Sequence, residues 1–112
     1  AYRRQRQMCI RDRSRVLPLY EKYFAVDALI FKDIRSNLVT LRNRVTGKSV
    51  SLDFTDFDYF LLWQKPGAPY ICLEPWSGVT PLENSSYELK EKDGITAVEP
   101  GKNCAFTHKI YF

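Results

Sequence analysis

Glu74 closes an apolar run, Tyr70-Ile71-Cys72-Leu73, and is followed at once by Pro75-Trp76. A carboxylate at a strand end, beside a large aromatic ring, is partly stripped of water, and such a group is suited to general-base work. Trp63 ends the preceding apolar run, across the turn Lys65 to Pro69, so two indoles and one acid can converge on one rim. That combination suits a sugar, whose apolar ring face stacks on an indole while its hydroxyls hydrogen-bond to an acid. The same residues also read as a surface glutamate beside two structural tryptophans, and spacing alone leaves both readings open. A third reading keeps the sugar and drops the chemistry: a non-catalytic carbohydrate-binding β-sandwich module.

The other reactive side chains offer less. Asp27 begins a buried strand and reads, by itself, as a solvated strand-start acid. His108 is the only histidine, set between Phe106 and Ile110 at two-residue spacing, which fits a structural residue better than a catalytic partner. Three cysteines, Cys9, Cys72 and Cys104, are an odd number without ligand spacing, which argues against a disulfide framework or a structural zinc site. Cys72 and Cys104 read as small buried apolar residues. The run DFTDFDYF (53–60) places three acids among four aromatics, a pattern of acids in water and no metal site.

Strands must position these groups. Ala28-Leu29-Ile30-Phe31 reads as a buried strand, and Asn37 to Arg44 as a second. A turn at Thr46-Gly47-Lys48 leads into SVSLDF, where Val50, Leu52 and Phe54 share a face, so the two runs predict a hairpin. DYFLLW (58–63) is a continuous apolar run, consistent with a strand buried on both faces, and YICLE (70–74) follows as the next strand. WSGVTPLENSS reads as a surface loop, Tyr87 to Lys92 as a single helical turn, and Glu99-Pro100-Gly101-Lys102 as a tight turn. The closing NCAFTHKIYF alternates, with Cys104, Phe106, His108, Ile110 and Phe112 on one face of a half-buried strand. The expectation is an all-β chain of about six strands, most naturally an antiparallel β-sandwich.

Charge divides the chain. Residues 1–15 carry six Arg against one Asp, a charge of +5, whereas residues 16–112 carry eleven basic against twelve acidic residues, a charge of −1. The body therefore lacks the basic balance of a nucleic-acid binder. No apolar stretch approaches the roughly 18 residues of a membrane span, so neither nucleic acid nor membrane is expected as a partner, and a cytoplasmic setting is. RQRQMCIRDR resembles a translated sequencing-adaptor junction. Residues 1–15 are accordingly read as a segment foreign to the domain, artefactual or disordered, and 16–112 as the domain.

PGAPYICLEPWSG, followed by LKEKDGI, VEPGK and the alternating final run, resembles the C-terminal part of aldose 1-epimerases, in the branch called galactose mutarotase-like. LPLYEKYFAVDALIFKDI and SVSLDFTDFDYFLLWQKPG fit the same family in the same order. The resemblance implies that 16–112 is a partial, C-terminal piece of a large antiparallel β-sandwich, the galactose mutarotase-like supersandwich. It implies an isomerase that interconverts the α and β anomers of a free aldose with no metal or organic cofactor. Glu74 would be the catalytic base, while Asp27, Trp63, Trp76 and, less directly matched, Lys65 would bind the substrate. The family's catalytic histidine falls upstream of residues 16–112, and His108 does not match it. A piece with the base and without the acid is expected to be inactive by itself and poorly stable.

Overall fold

The computed structural model describes residues 15–80 and 85–112; the arginine-rich residues 1–14 lie outside the described residues. Six strands follow one another: β1 (Leu29–Lys32), β2 (Leu38–Arg42), β3 (Ser49–Asp53), β4 (Tyr59–Trp63), β5 (Cys72–Trp76) and β6 (Lys109–Tyr111). They form two antiparallel sheets of three, in the orders β1-β4-β5 and β2-β3-β6. Leu29, Phe60 and Leu62 of the first sheet cluster with Leu52 of the second, with Phe54 just after β3 and with Phe24, making the core of an all-β sandwich. Helical structure among the described residues is confined to two single 3-10 turns, Glu21–Phe24 and Leu89–Glu91.

β4 is central in its sheet and covered on both sides, as its unbroken apolar run predicts. Phe60 and Leu62 point into the core, where the Phe60 ring stacks on Phe54 at 4.8 Å between centroids. Tyr59 and Leu61 face the opposite way, into a second cluster with Ala28 and Val79. The β2–β3 hairpin has the alternation of a half-solvated sheet: Val39, Leu52 and Ile110 share the inner row. Outside, Thr40 and Ser51 meet through their hydroxyls at 2.7 Å. Asn43 builds the connection, its side chain accepting from the N–H groups of Val45 and Thr46 at 2.9 and 3.0 Å, and Gly47 supplies the positive φ of 75°.

Two strands differ from expectation. The predicted strand over 70–74 forms instead at Cys72–Trp76, so Glu74 is its middle residue and the ladder runs on through Pro75 to Trp76. Among the described residues β5 pairs with β4 alone, and an edge strand tolerates a proline whose missing N–H faces outward. The second difference lies in residues 103–112, of which only Lys109–Tyr111 is a strand, and all of which are exposed. β3 ends where the Asp53 carboxylate accepts from the N–H and hydroxyl of Thr55 at 3.0 and 2.6 Å, so among the described residues no strand pairs with those before Lys109, and the Thr107 N–H donates instead to Asp56 Oδ2 at 2.8 Å. They run past Phe57 instead, whose ring lies 5.6 Å from Phe106 and 6.3 Å from His108. Alternation alone therefore overstated this strand. Cys104 is exposed along with it, and Cys72 is only half-buried.

Candidate functional site

The register of the first sheet arranges its outer face in rows. Lys32, Tyr59 and Trp76 form one row, Ile30, Leu61 and Glu74 the next, and Trp63 stands opposite Cys72 in the third. Residues two apart on a strand share a face, so Glu74 lies on the same surface as Trp76 and Trp63. Trp63 is level with Cys72, and four residues of extended chain separate that level from Trp76, roughly 14 Å at 3.4 Å per residue. Glu74 sits midway. The expected rim is thus a sheet face, with a carboxylate between two indoles.

All three side chains are half-buried, over a floor in which Tyr59 and Leu61 are 1% and 2% exposed. The Trp76 indole Nε1 donates to Glu74 Oε2 at 3.0 Å. That bond fixes one oxygen of the carboxylate and its plane, while Oε1 retains its own acceptor capacity. At the other end of the face, the Trp63 ring lies against Tyr70, with 6.2 Å between centroids and a tilt of 50°.

Asp27 and Lys65 belong to that Trp63 end. Asp27 immediately precedes Ala28, accepts the Ala28 N–H at 2.7 Å, and is exposed. Lys65 is exposed in a turn closed by the Ala68 N–H donating to the Lys65 carbonyl at 3.0 Å. The structure therefore unites Glu74, Trp63 and Trp76 on one face, and leaves Asp27 and Lys65 on its margin. His108, the sole histidine, belongs with the other sheet, one residue before β6.

A further group stands on this face that sequence reasoning missed. Asp93 accepts a hydrogen bond from the Tyr59 hydroxyl, and Lys32 Nζ approaches its two carboxylate oxygens at 3.0 and 3.4 Å. The Lys32 ammonium also lies over the Tyr59 ring, 5.5 Å from its centroid. The hydrogen bond to Asp93 pushes Lys32 up to about 12. Burial first, and the bond to Asp93 second, push the Tyr59 phenol up to about 12. The Tyr59 hydroxyl and then Lys32 hold Asp93 below the ordinary carboxylate value. The available signals were the shared face of Ile30 and Lys32 and the turn-forming pair Asp93-Gly94; their juxtaposition spans 61 residues of chain and has no local signature.

Over 90 residues this chain is 36% identical to two proteins of Lactococcus lactis subsp. lactis, Protein LacX, plasmid, and Protein LacX, chromosomal. It is similar to LacX. The match takes in 80% of this chain and 30% of each relative, so the chain spans about a third of the length of the curated relatives it matches. No family model matches the chain, and no solved structure does. Among the described residues no helix is long and apolar enough to cross a membrane.

Proposed function

We propose that the chain is the base-bearing part of an aldose 1-epimerase, an isomerase acting on a free hexose. The observation that carries this reading is Glu74 held between Trp63 and Trp76 on one face, oriented by the Trp76 indole N–H. The indoles offer ring faces on which a pyranose stacks. Glu74 Oε1 takes the proton of the anomeric hydroxyl as the C1–O5 bond breaks, and an acid delivers a proton to the ring oxygen. C1 becomes an aldehyde, the C1–C2 bond rotates, and closure on the other face returns both protons. Asp27 and Lys65, on the margin, hydrogen-bond the outlying hydroxyls. Similarity to proteins with a Lac designation is in keeping with a sugar ligand.

On the aldose 1-epimerase reading the acid is a histidine upstream of this chain, and His108 stands with the opposite sheet. General acid–base help contributes about 10²–10⁴-fold, so the chain alone is expected to lack turnover. Polarimetry on freshly dissolved α-glucose or α-galactose tests this directly. A longer polypeptide carrying this sequence should speed the approach to anomeric equilibrium, and Glu74→Gln should slow it by about 10²–10⁴-fold with modest change in sugar affinity. Binding without any acceleration, in the longer protein with Glu74 intact, would instead favour the carbohydrate-binding module.

A further inference from the structure

Glu74 is oriented by Trp76, and Trp76 in turn leans on a structure that the base reading does not use. Trp76 stands directly opposite Tyr59 in the β4–β5 ladder, and Tyr59 directly opposite Lys32 in the β1–β4 ladder. Asp93 ties the latter two together from above, accepting from the Tyr59 hydroxyl and pairing with Lys32 at 3.0 Å. The next residue, Gly94, lies so close that a Cβ there would come 2.9 Å from Tyr59 Cε2, 3.1 Å from Gly78 Cα and 3.1 Å from the Ser77 carbonyl oxygen. Ser77 and Gly78 are the two residues that follow Trp76. One turn thus presses on both the ring opposite Trp76 and the backbone leaving it.

We propose that Asp93 is a positioning residue for Glu74, acting through Tyr59 and Trp76. Its carboxylate gathers Lys32 and Tyr59, and the Asp93-Gly94 turn pins the exit of β5, so the Trp76 indole is presented to Glu74 at one angle. The importance of that angle for catalysis rests on the reading of Glu74 as base; the coupling itself does not. Asp93 touches neither Glu74 nor a substrate in this account. Its effect is carried by packing and hydrogen bonds in a region where Tyr59 is almost wholly buried.

In a longer polypeptide carrying this sequence, the indole N–H signals of Trp63 and Trp76 in the ¹H–¹⁵N spectrum are assigned by Trp63→Phe and Trp76→Phe. Exchange of the Trp76 indole proton with solvent reports directly on its bond to Glu74. Asp93→Asn keeps the shape and removes the charge; Tyr59→Phe removes only the hydroxyl. Each should speed Trp76 indole exchange roughly three- to tenfold, the factor for weakening one ordinary hydrogen bond, and leave the Trp63 signal unchanged. Should Asp93→Asn fail to fold, Tyr59→Phe carries the test. An unchanged Trp76 rate would overturn the proposal, and so would equal acceleration at Trp63 and Trp76, which would mark general loosening. Neither sugar nor turnover enters this readout, so a failure here is distinct from a failure of the epimerase reading.

Discussion

The two sheets share one core and differ on their outer faces. Outside β2-β3-β6 stand Thr40, Ser51, Asp53 and Lys109, in rows with Leu38 and Tyr111, which stay half exposed. Outside β1-β4-β5 stand Ile30, Tyr59, Leu61, Trp63 and Trp76, with Glu74, Lys32 and Asp93 set among them. An apolar outer face must be covered, and the residues around Val79 cover part of it. Polar groups on such a face need partners, and each carboxyl here has one: indole N–H for Glu74, hydroxyl and ammonium for Asp93. Partnered carboxylates on a half-covered aromatic surface set this face apart from that of the other sheet.

The largest test of this contrast is Leu61→Ala, which removes a buried side chain directly opposite Glu74 in the β4–β5 ladder. It should cost about 3 kcal/mol, read as a lower urea midpoint at unchanged slope. Next come two glycines with nearly the same φ. Gly47, at +75° with nothing within 4 Å of a built Cβ, should cost about 1 kcal/mol on replacement by alanine. Gly94, at +72° against Tyr59 and Gly78, should cost more than Gly47 by the same titration, and equal costs would break the contrast.

Titration sharpens it further. Lys32 is raised from 10.5 to about 12 and Tyr59 from 10.0 to about 12. For both, the folded state holds its proton more tightly than the unfolded chain. Their stabilisation is therefore complete below pH 10 and lost as the pH rises toward about 12. Asp93 has the opposite sense: lowered from 3.8, it stabilises above that pH, and its contribution is lost as the pH falls below it. Urea midpoints followed from pH 9 to 12 should fall, and Tyr59→Phe should flatten the fall. The smallest expected change is Ser51→Ala on the hydroxyl-lined face, within about 0.5 kcal/mol by the same measurement; a larger loss would show that this face is less independent of its surroundings than its solvation implies.

Sequence pattern served well where structure is local. The continuous run of β4, the hairpin around Gly47 and the turn at Glu99–Lys102, closed by a 3.0 Å bond and a Gly101 φ of 76°, all follow from periodicity and turn chemistry. The association of Glu74 with Trp63 and Trp76 was legible because it needs only adjacent strands. Pattern failed where the outcome depended on a partner. Residues 103–108 alternate as a strand should, yet among the described residues find no strand to pair with beyond Asp53. The strand expected over 70–74 lies at Cys72–Trp76, because an edge position lets the ladder continue through Pro75. Asp93 was invisible because nothing in EKDG announces a tyrosine and a lysine folded down upon it.

Pro75 has one further bearing. A sheet edge is a template on which other chains can assemble, and a proline in its middle withholds a donor from any incoming strand. The free side of β5 is blunted in this way, next to the carboxylate that the proposed chemistry needs open, whereas the other edges of the described sheets, β1, β2 and β6, carry no proline. In concentrated solution, strand-on-strand assembly should therefore spare the β5 edge and use the proline-free ones.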